Sequence, residues 1–165
     1  MSFSEEDSNS EENYILYIQQ ELKNGFDING IIEGFAWDTT FLMYCSMARY
    51  YKATEMLLEQ GADPNIKNKD GQTALHFAIC FGPQKPSRKM VKILLEAGAD
   101  PNIGIWENET ALMLASRCND AKIIKMLLDH NADIHFVNSK GETAMSTANK
   151  YQSEKAIEIL EKFIK

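Results

Sequence analysis

From about Glu11 to Asn24 the apolar residues Ile15, Ile18 and Leu22 stand at i, i+3 and i+7 among polar ones, the spacing of one helix face. Further along, adjacent leucines recur as Leu57-Leu58, Leu94-Leu95 and Leu127-Leu128, each ahead of Gly61, Gly98 or Asn131. Each of these turns opens a second motif: Gly61-Ala62-Asp63-Pro64-Asn65, Gly98-Ala99-Asp100-Pro101-Asn102 and Asn131-Ala132-Asp133-Ile134-His135. Twelve residues after each turn residue stands a threonine, Thr73, Thr110 or Thr143, and Thr40 lies 33 residues before Thr73. Two motifs recurring in phase mean one small unit copied, with neighbours burying a continuous core between them. In each unit the threonine is expected to cap a short helix, and a second helix carries the leucine pair. The Gly, or Asn131 in its place, ends that helix in a left-handed conformation.

Thr73-Ala74-Leu75-His76, Thr110-Ala111-Leu112-Met113, Thr143-Ala144-Met145-Ser146 and the Gly-Ala-Asp-Pro-Asn turns resemble the ankyrin repeat family, over about residues 12 to 165. The resemblance implies an all-α solenoid of stacked helix-turn-helix units with projecting hairpin-like loops. Residues 11–165 are read as a single domain: an N-terminal half-repeat, 11–35, and repeats of about 36–67, 68–104, 105–137 and 138–165. Residues 1–10 are acidic and serine-rich, and are expected to be a disordered tail.

The ends of the array break the leucine pair in opposite ways. Glu21-Leu22 stands at the start and Leu160-Glu161 at the end. An end unit lacks one neighbour and needs one polar face, so the first leucine of each pair is expected to face the preceding repeat and the second the following one. On that reading the array is capped at both ends. Two places depart from the period. The first loop, Gly25 to Thr40, is three residues longer and carries Ile31, Ile32 and Phe35; the second repeat has four extra residues around Gly82 to Ser87, where two prolines forbid helix.

Composition narrows the function classes. A net charge of -7 disfavours a nucleic-acid backbone as partner. No apolar run is long enough to span a membrane, and the first residues lack the basic start and apolar stretch of a secretory signal. A cytoplasmic location is expected, with the nucleus as the alternative. Three widely spaced cysteines argue against a disulfide framework, and Cys45 fills a slot held by Ala78, Ala115 and Ala148 elsewhere. No nucleophile-base set, phosphate-binding glycine loop or metal-ligand spacing is present, so no enzyme activity and no cofactor are expected. The Asp and Asn residues of the turns are expected to form Asx turns rather than a calcium loop. The resemblance gives His76 a structural place beside Thr73, tying neighbouring loops together.

It also implies that partners meet the concave face formed by loop tips and first helices. Carried over within this chain, that face includes Trp37, Met47, Lys69, Phe81, Trp106, Glu107, Arg117, Lys140 and Tyr151. Trp37 and Trp106 fall at the same loop-tip position two repeats apart, on the order of 20 Å at a helix-layer spacing of about 10 Å. Phe81 lies between them in repeat order. Trp37 has a second expected place, folded onto Ile31, Ile32 and Phe35. The leading expectation is a non-enzymatic protein-protein interaction module, monomeric when unbound, that binds another protein or peptide. One alternative is a small anionic ligand or nucleotide held by Trp106, Arg117 and Lys150. The other is a substrate of asparagine hydroxylation at Asn65 and Asn102, as the family implies. Lys85, Arg88 and Lys89 form a local basic patch, read as solvated helix-flanking charge.

Overall fold

The computed structural model describes residues 11–32, 38–81 and 86–164. The tail 1–10, Phe35, Trp37 and Lys85 lie outside the described residues. Helix α1 (Glu11–Lys23) leads. The first full repeat pairs α2 (Phe41–Ala48) with α3 (Tyr51–Glu59). The second starts as a short α4 (Ala74–His76), widens into a π-helical turn (Phe77–Phe81), and returns through α5 (Arg88–Glu96). The third opens with a two-stranded hairpin, β1 (Gly104–Ile105) and β2 (Glu109–Thr110), before α6 (Ala111–Arg117) and α7 (Ala121–Asp129). Helices α8 (Ala144–Lys150) and α9 (Glu154–Ile164) form the last.

First helices stack on first helices, α2 on α4, the π turn on α6 and α6 on α8; second helices likewise stack α1 on α3, α5 on α7 and α7 on α9. The result is a helical solenoid with one continuous apolar seam. The first leucine of each pair, Leu57, Leu94, Leu127 and Leu160, lies fully inside it, while Leu58 and Leu128 are half-buried. In α1 the fully buried positions are Tyr14 and Ile18, with Ile15 and Leu22 only partly covered. Tyr14 packs among Phe41, Tyr44 and Tyr50, its ring centroid 4.8 Å from that of Tyr44. Ring packing by Tyr14 thus joins the expected stripe at this end, of which Ile18 is fully buried and Ile15 and Leu22 pack along its edge.

The turns between repeats carry the order of the stack. After each leucine pair two backbone amides reach back to the pair's own carbonyls: Gly61 to Leu58 and Ala62 to Leu57, Gly98 to Leu95 and Ala99 to Leu94, Asn131 to Leu128 and Ala132 to Leu127. This helix ending needs a left-handed residue, and Gly61, Gly98 and Asn131 have φ of 92°, 89° and 65°. The aspartates then close Asx turns, Asp63 Oδ1 on the Asn65 amide and Asp100 Oδ1 on the Asn102 amide, both at 2.8 Å. Each asparagine spends its side chain on the next repeat. Asn65 accepts from the Asp100 amide at 2.7 Å and donates to the Gly98 carbonyl at 3.1 Å; Asn102 does the same to Asp133 and Asn131, at 2.8 and 3.0 Å. Asn29 begins the ladder by accepting from the Asp63 amide at 2.8 Å.

The threonines diverge. Thr40 and Thr143 accept the backbone amides of Met43 and Ser146, as expected of caps. Thr110 has the extended backbone of a cap without the side-chain bond. Thr73 shares a capping box with His76, its hydroxyl 2.9 Å from Nδ1, and that nitrogen also accepts the Thr73 amide at 3.1 Å. The other ring nitrogen donates to the Ile103 carbonyl of the next loop at 3.1 Å. This fixes the neutral tautomer, because a proton on Nδ1 would face the Thr73 amide. Burial, helped by Lys67, pushes His76 down to about 4.

Asn102→Ala removes both rungs to the fourth repeat and should lower the stability measured by urea unfolding by about 2 kcal/mol. His76 takes a proton near 6.5 when unfolded but only near 4 when folded, so its contribution is complete above the first value and is lost as pH falls to the second. Between pH 6.5 and 4 the unfolding free energy should drop by up to about 3 kcal/mol, and His76→Gln should flatten that part of the curve.

Candidate functional site

The sequence-derived positions separate into two groups. Met47 is half-buried against the core on α2, and Lys69 is tied to Asp38 at 2.8 Å near the first two loops. Trp106, Glu107, Arg117, Lys140 and Tyr151 come together around one cleft of about 150 Å³ between the third and fourth repeats. Asn138, Glu142, Thr147, Glu109 and Lys150 complete its wall.

The third-repeat hairpin sets the cleft's upper edge. Glu109 N–H closes onto the Trp106 carbonyl at 2.9 Å, with Glu107 and Asn108 both at positive φ, 36° and 64°. With Gly104 paired to Thr110 and Ile105 to Glu109, the loop is the three residues Trp106, Glu107 and Asn108, and its two left-handed positions are filled without glycine. Gly104 makes the close return possible, since a Cβ there would sit 2.7 Å from the Asn108 Cα. The tip is then held against the next loop: the Ser139 amide donates to the Glu107 carbonyl at 2.7 Å, and Lys140 pairs with the Glu107 carboxylate. Trp106 is left 52% exposed, one edge resting on Phe81, with centroids 5.8 Å apart at 61°.

The floor comes from the first helices. Phe81 ends the π turn and packs on Phe77 at 4.9 Å. Arg117, at the end of α6, reaches Glu109 at 3.1 Å and Cys80 at 3.8 Å, with its guanidinium 6.0 Å from the Tyr151 ring centroid. Lys150 bonds Glu142 at 2.7 Å. Lys150 and Asn138 hold the Glu142 carboxyl below its usual range, while Glu142 raises Lys150. Three cations thus alternate with three carboxylates along the cleft. Trp106, Arg117 and Lys150 do share one site, but each cation already faces a glutamate, which weakens the case for an anion.

Asn138 and Thr147 are lining residues that sequence reasoning did not single out. Asn138 shapes the fourth loop, its Oδ1 accepting the Lys140 and Glu142 amides at 2.9 Å. The Asn138-to-Gly141 stretch echoes Asn68-to-Gly71, so that role was readable in the repeat. Asn65 and Asn102 lie in the ladder, their amides engaged. The basic patch has structural work: Arg88 grips both oxygens of Asp120 at 3.0 Å, and Lys89 sits 4.3 Å above the Tyr51 ring. Among the described residues no group of His, Cys, Asp and Glu is placed to hold a metal, and no helix is long and apolar enough to cross a membrane.

A solenoid of helix pairs joined by asparagine-bridged turns defines a class of repeat protein whose members display side chains along one face. A family model described as ankyrin repeats (3 copies) matches residues 10–105, and one described as ankyrin repeats (many copies) matches 89–148. The chain belongs to the ankyrin repeat family, whose repeats generally serve as protein-protein interaction modules and typically carry no enzyme activity. It is 38% identical over 42 residues to an ankyrin repeat protein of Acanthamoeba polyphaga mimivirus, covering 26% of this chain and 10% of that one. It is 60% identical over 30 residues to one from Rickettsia felis, covering 18% of this chain and 13% of the relative. The matched stretches are thus a small part of either relative.

The edge contact with Phe81 should be visible in fluorescence. In a Trp37→Phe background, Phe81→Ala should move the Trp106 emission to longer wavelength as the ring loses its apolar neighbour; an unshifted spectrum would show that the two rings do not touch.

Proposed function

We propose that the chain is a non-enzymatic protein-interaction module that receives a partner protein or peptide on its concave face, across the cleft between the third and fourth repeats. The observation that carries this reading is the pair of half-exposed aromatic rings, Trp106 and Tyr151, flanking a cleft whose charges are already matched. Aromatic area beside arginine is the usual composition of binding hot spots. The alternating ion pairs favour a partner that brings both apolar groups and charges of either sign over one that is uniformly acidic or basic.

Mechanism on this reading is preorganisation. Hairpin tip, fourth loop and helix ends are fixed to one another by the Ser139–Glu107 and Asn138 bonds, so binding need not order them. A monomeric free state and a cytoplasmic location belong to the same proposal, and the three free thiols favour a reducing compartment.

Affinity capture with the chain and with its Trp106→Ala/Tyr151→Ala variant, quantified by mass spectrometry, tests the surface. Specific partners should be depleted by about thirtyfold or more, the loss of one hot-spot interaction of about 2 kcal/mol. Unfolding should shift by less than about 1 kcal/mol. Equal capture by both proteins would refute this surface.

A further inference from the structure

The second and third repeats bring two cysteines to one place on the face that carries the cleft. Cys80 lies in the π turn and is half-buried; Cys118 follows α6 and is exposed. The π turn packs directly on α6, and the two thiols lie within hydrogen-bond reach of each other. Arg117 Nη2 reaches to 3.8 Å from the Cys80 sulfur. The third thiol, Cys45, is fully buried in α2. The chain therefore carries one sealed cysteine and one accessible neighbouring pair.

We propose that Cys80 and Cys118 form a peroxide-oxidisable dithiol bridging the second and third repeats, with Cys118 as the attacking sulfur and Cys80 as the resolving one. The assignment follows from exposure and surroundings. The Cys118 thiol is lowered to about 7 by the hydrogen bond from Cys80 and by the Arg117 cation, against burial and the carboxylates of Asp120 and Glu109. Cys80 is raised, first by its bond to Cys118 and then by burial, with Arg117 opposing. The exposed member is thus the more readily ionised thiol, and the covered member holds its proton.

The chemistry closes with hydrogen peroxide as the oxidant. The Cys118 thiolate attacks one peroxide oxygen, the O–O bond breaks, and the departing hydroxide takes a proton and leaves as water. Cys118 is then a sulfenic acid. The Cys80 sulfur displaces hydroxide from it, forming the S–S bond as the S–O bond breaks, and the Cys80 proton leaves with that hydroxide as a second water. Two thiols and one peroxide become one disulfide and two waters. A small-molecule dithiol reverses the step by exchange. This inference does not depend on what the cleft binds.

The test uses the whole chain, treated with stoichiometric hydrogen peroxide, unfolded, alkylated and weighed intact. The expected product has lost two hydrogens and takes up a single alkyl group, on Cys45, while dithiothreitol restores all three sites. Peptide mapping should show Cys80 joined to Cys118 within one chain. In Cys80→Ser the reaction should stop at a Cys118 sulfenic acid that dimedone captures. Alkylation of Cys118 in the untreated chain should titrate with a midpoint near 7 and run about threefold faster at neutral pH than an ordinary thiol, after allowing for lower intrinsic nucleophilicity. Cys80→Ala, which removes the donor to Cys118, should move that midpoint upward. Three alkylatable thiols after peroxide, over-oxidised Cys118 with Cys80 free, or a bond formed only between chains would each overturn the proposal.

Discussion

A repeat of about thirty residues has no inside of its own, and its chain must reverse direction at every unit without abandoning backbone polar groups. In this protein the solution is the asparagine at the end of each turn that has another stacked after it: Asn29, Asn65 and Asn102. One aspartate closes the turn locally, and the asparagine two residues on carries a carbonyl and an amide across to the next turn. Because the bonded groups are backbone atoms of the neighbour, the spacing between units is set by peptide geometry more than by side-chain packing. The leucine seam then fills a space whose dimensions are already determined. His76 adds a second tie at the level of the loops, reaching the Ile103 carbonyl beside the hairpin.

With the units held in phase, the cleft arises from small differences between them. The third loop is a tight hairpin where the fourth is an asparagine-centred turn, and the two meet at Ser139 and Glu107. Lysine, glutamate and arginine from successive copies then interleave, so an acidic protein presents a cleft with matched charge. Pairs this exposed contribute little to stability individually. Their effect is on recognition, since a partner must offer something better than what each charge already has.

Much of the scaffold could be read from the chain, because the features that build it are local and repeated. The left-handed turn at Asn131, the Asx turns at Asp63 and Asp100, and the Ser87 cap of α5 each depend on residue type and spacing within a few positions. Trp106 at the hairpin tip was legible by alignment among copies. The features that escaped were decided by contacts between copies. Thr110 matches the other threonines in sequence but lacks the cap bond that Thr40 and Thr143 make, and the ring cluster around Tyr14 joins three elements with no common period. The meeting of Cys80 with Cys118 was hidden for the same reason, their separation in sequence matching no repeat.

The π-helical turn at Phe77–Phe81 stands where the second repeat departs from the shared length. A wider helical turn accommodates an added residue by bulging, which redirects the chain beyond it. Here the change brings Phe81 beneath Trp106 and Cys80 beside Arg117, while the turns at Gly61 and Gly98 keep the same hydrogen bonds as the others. Length variation inside one unit is thereby insulated from its neighbours. In evolutionary terms such an array can revise a single unit's displayed surface by insertion, leaving the rest of the inheritance untouched.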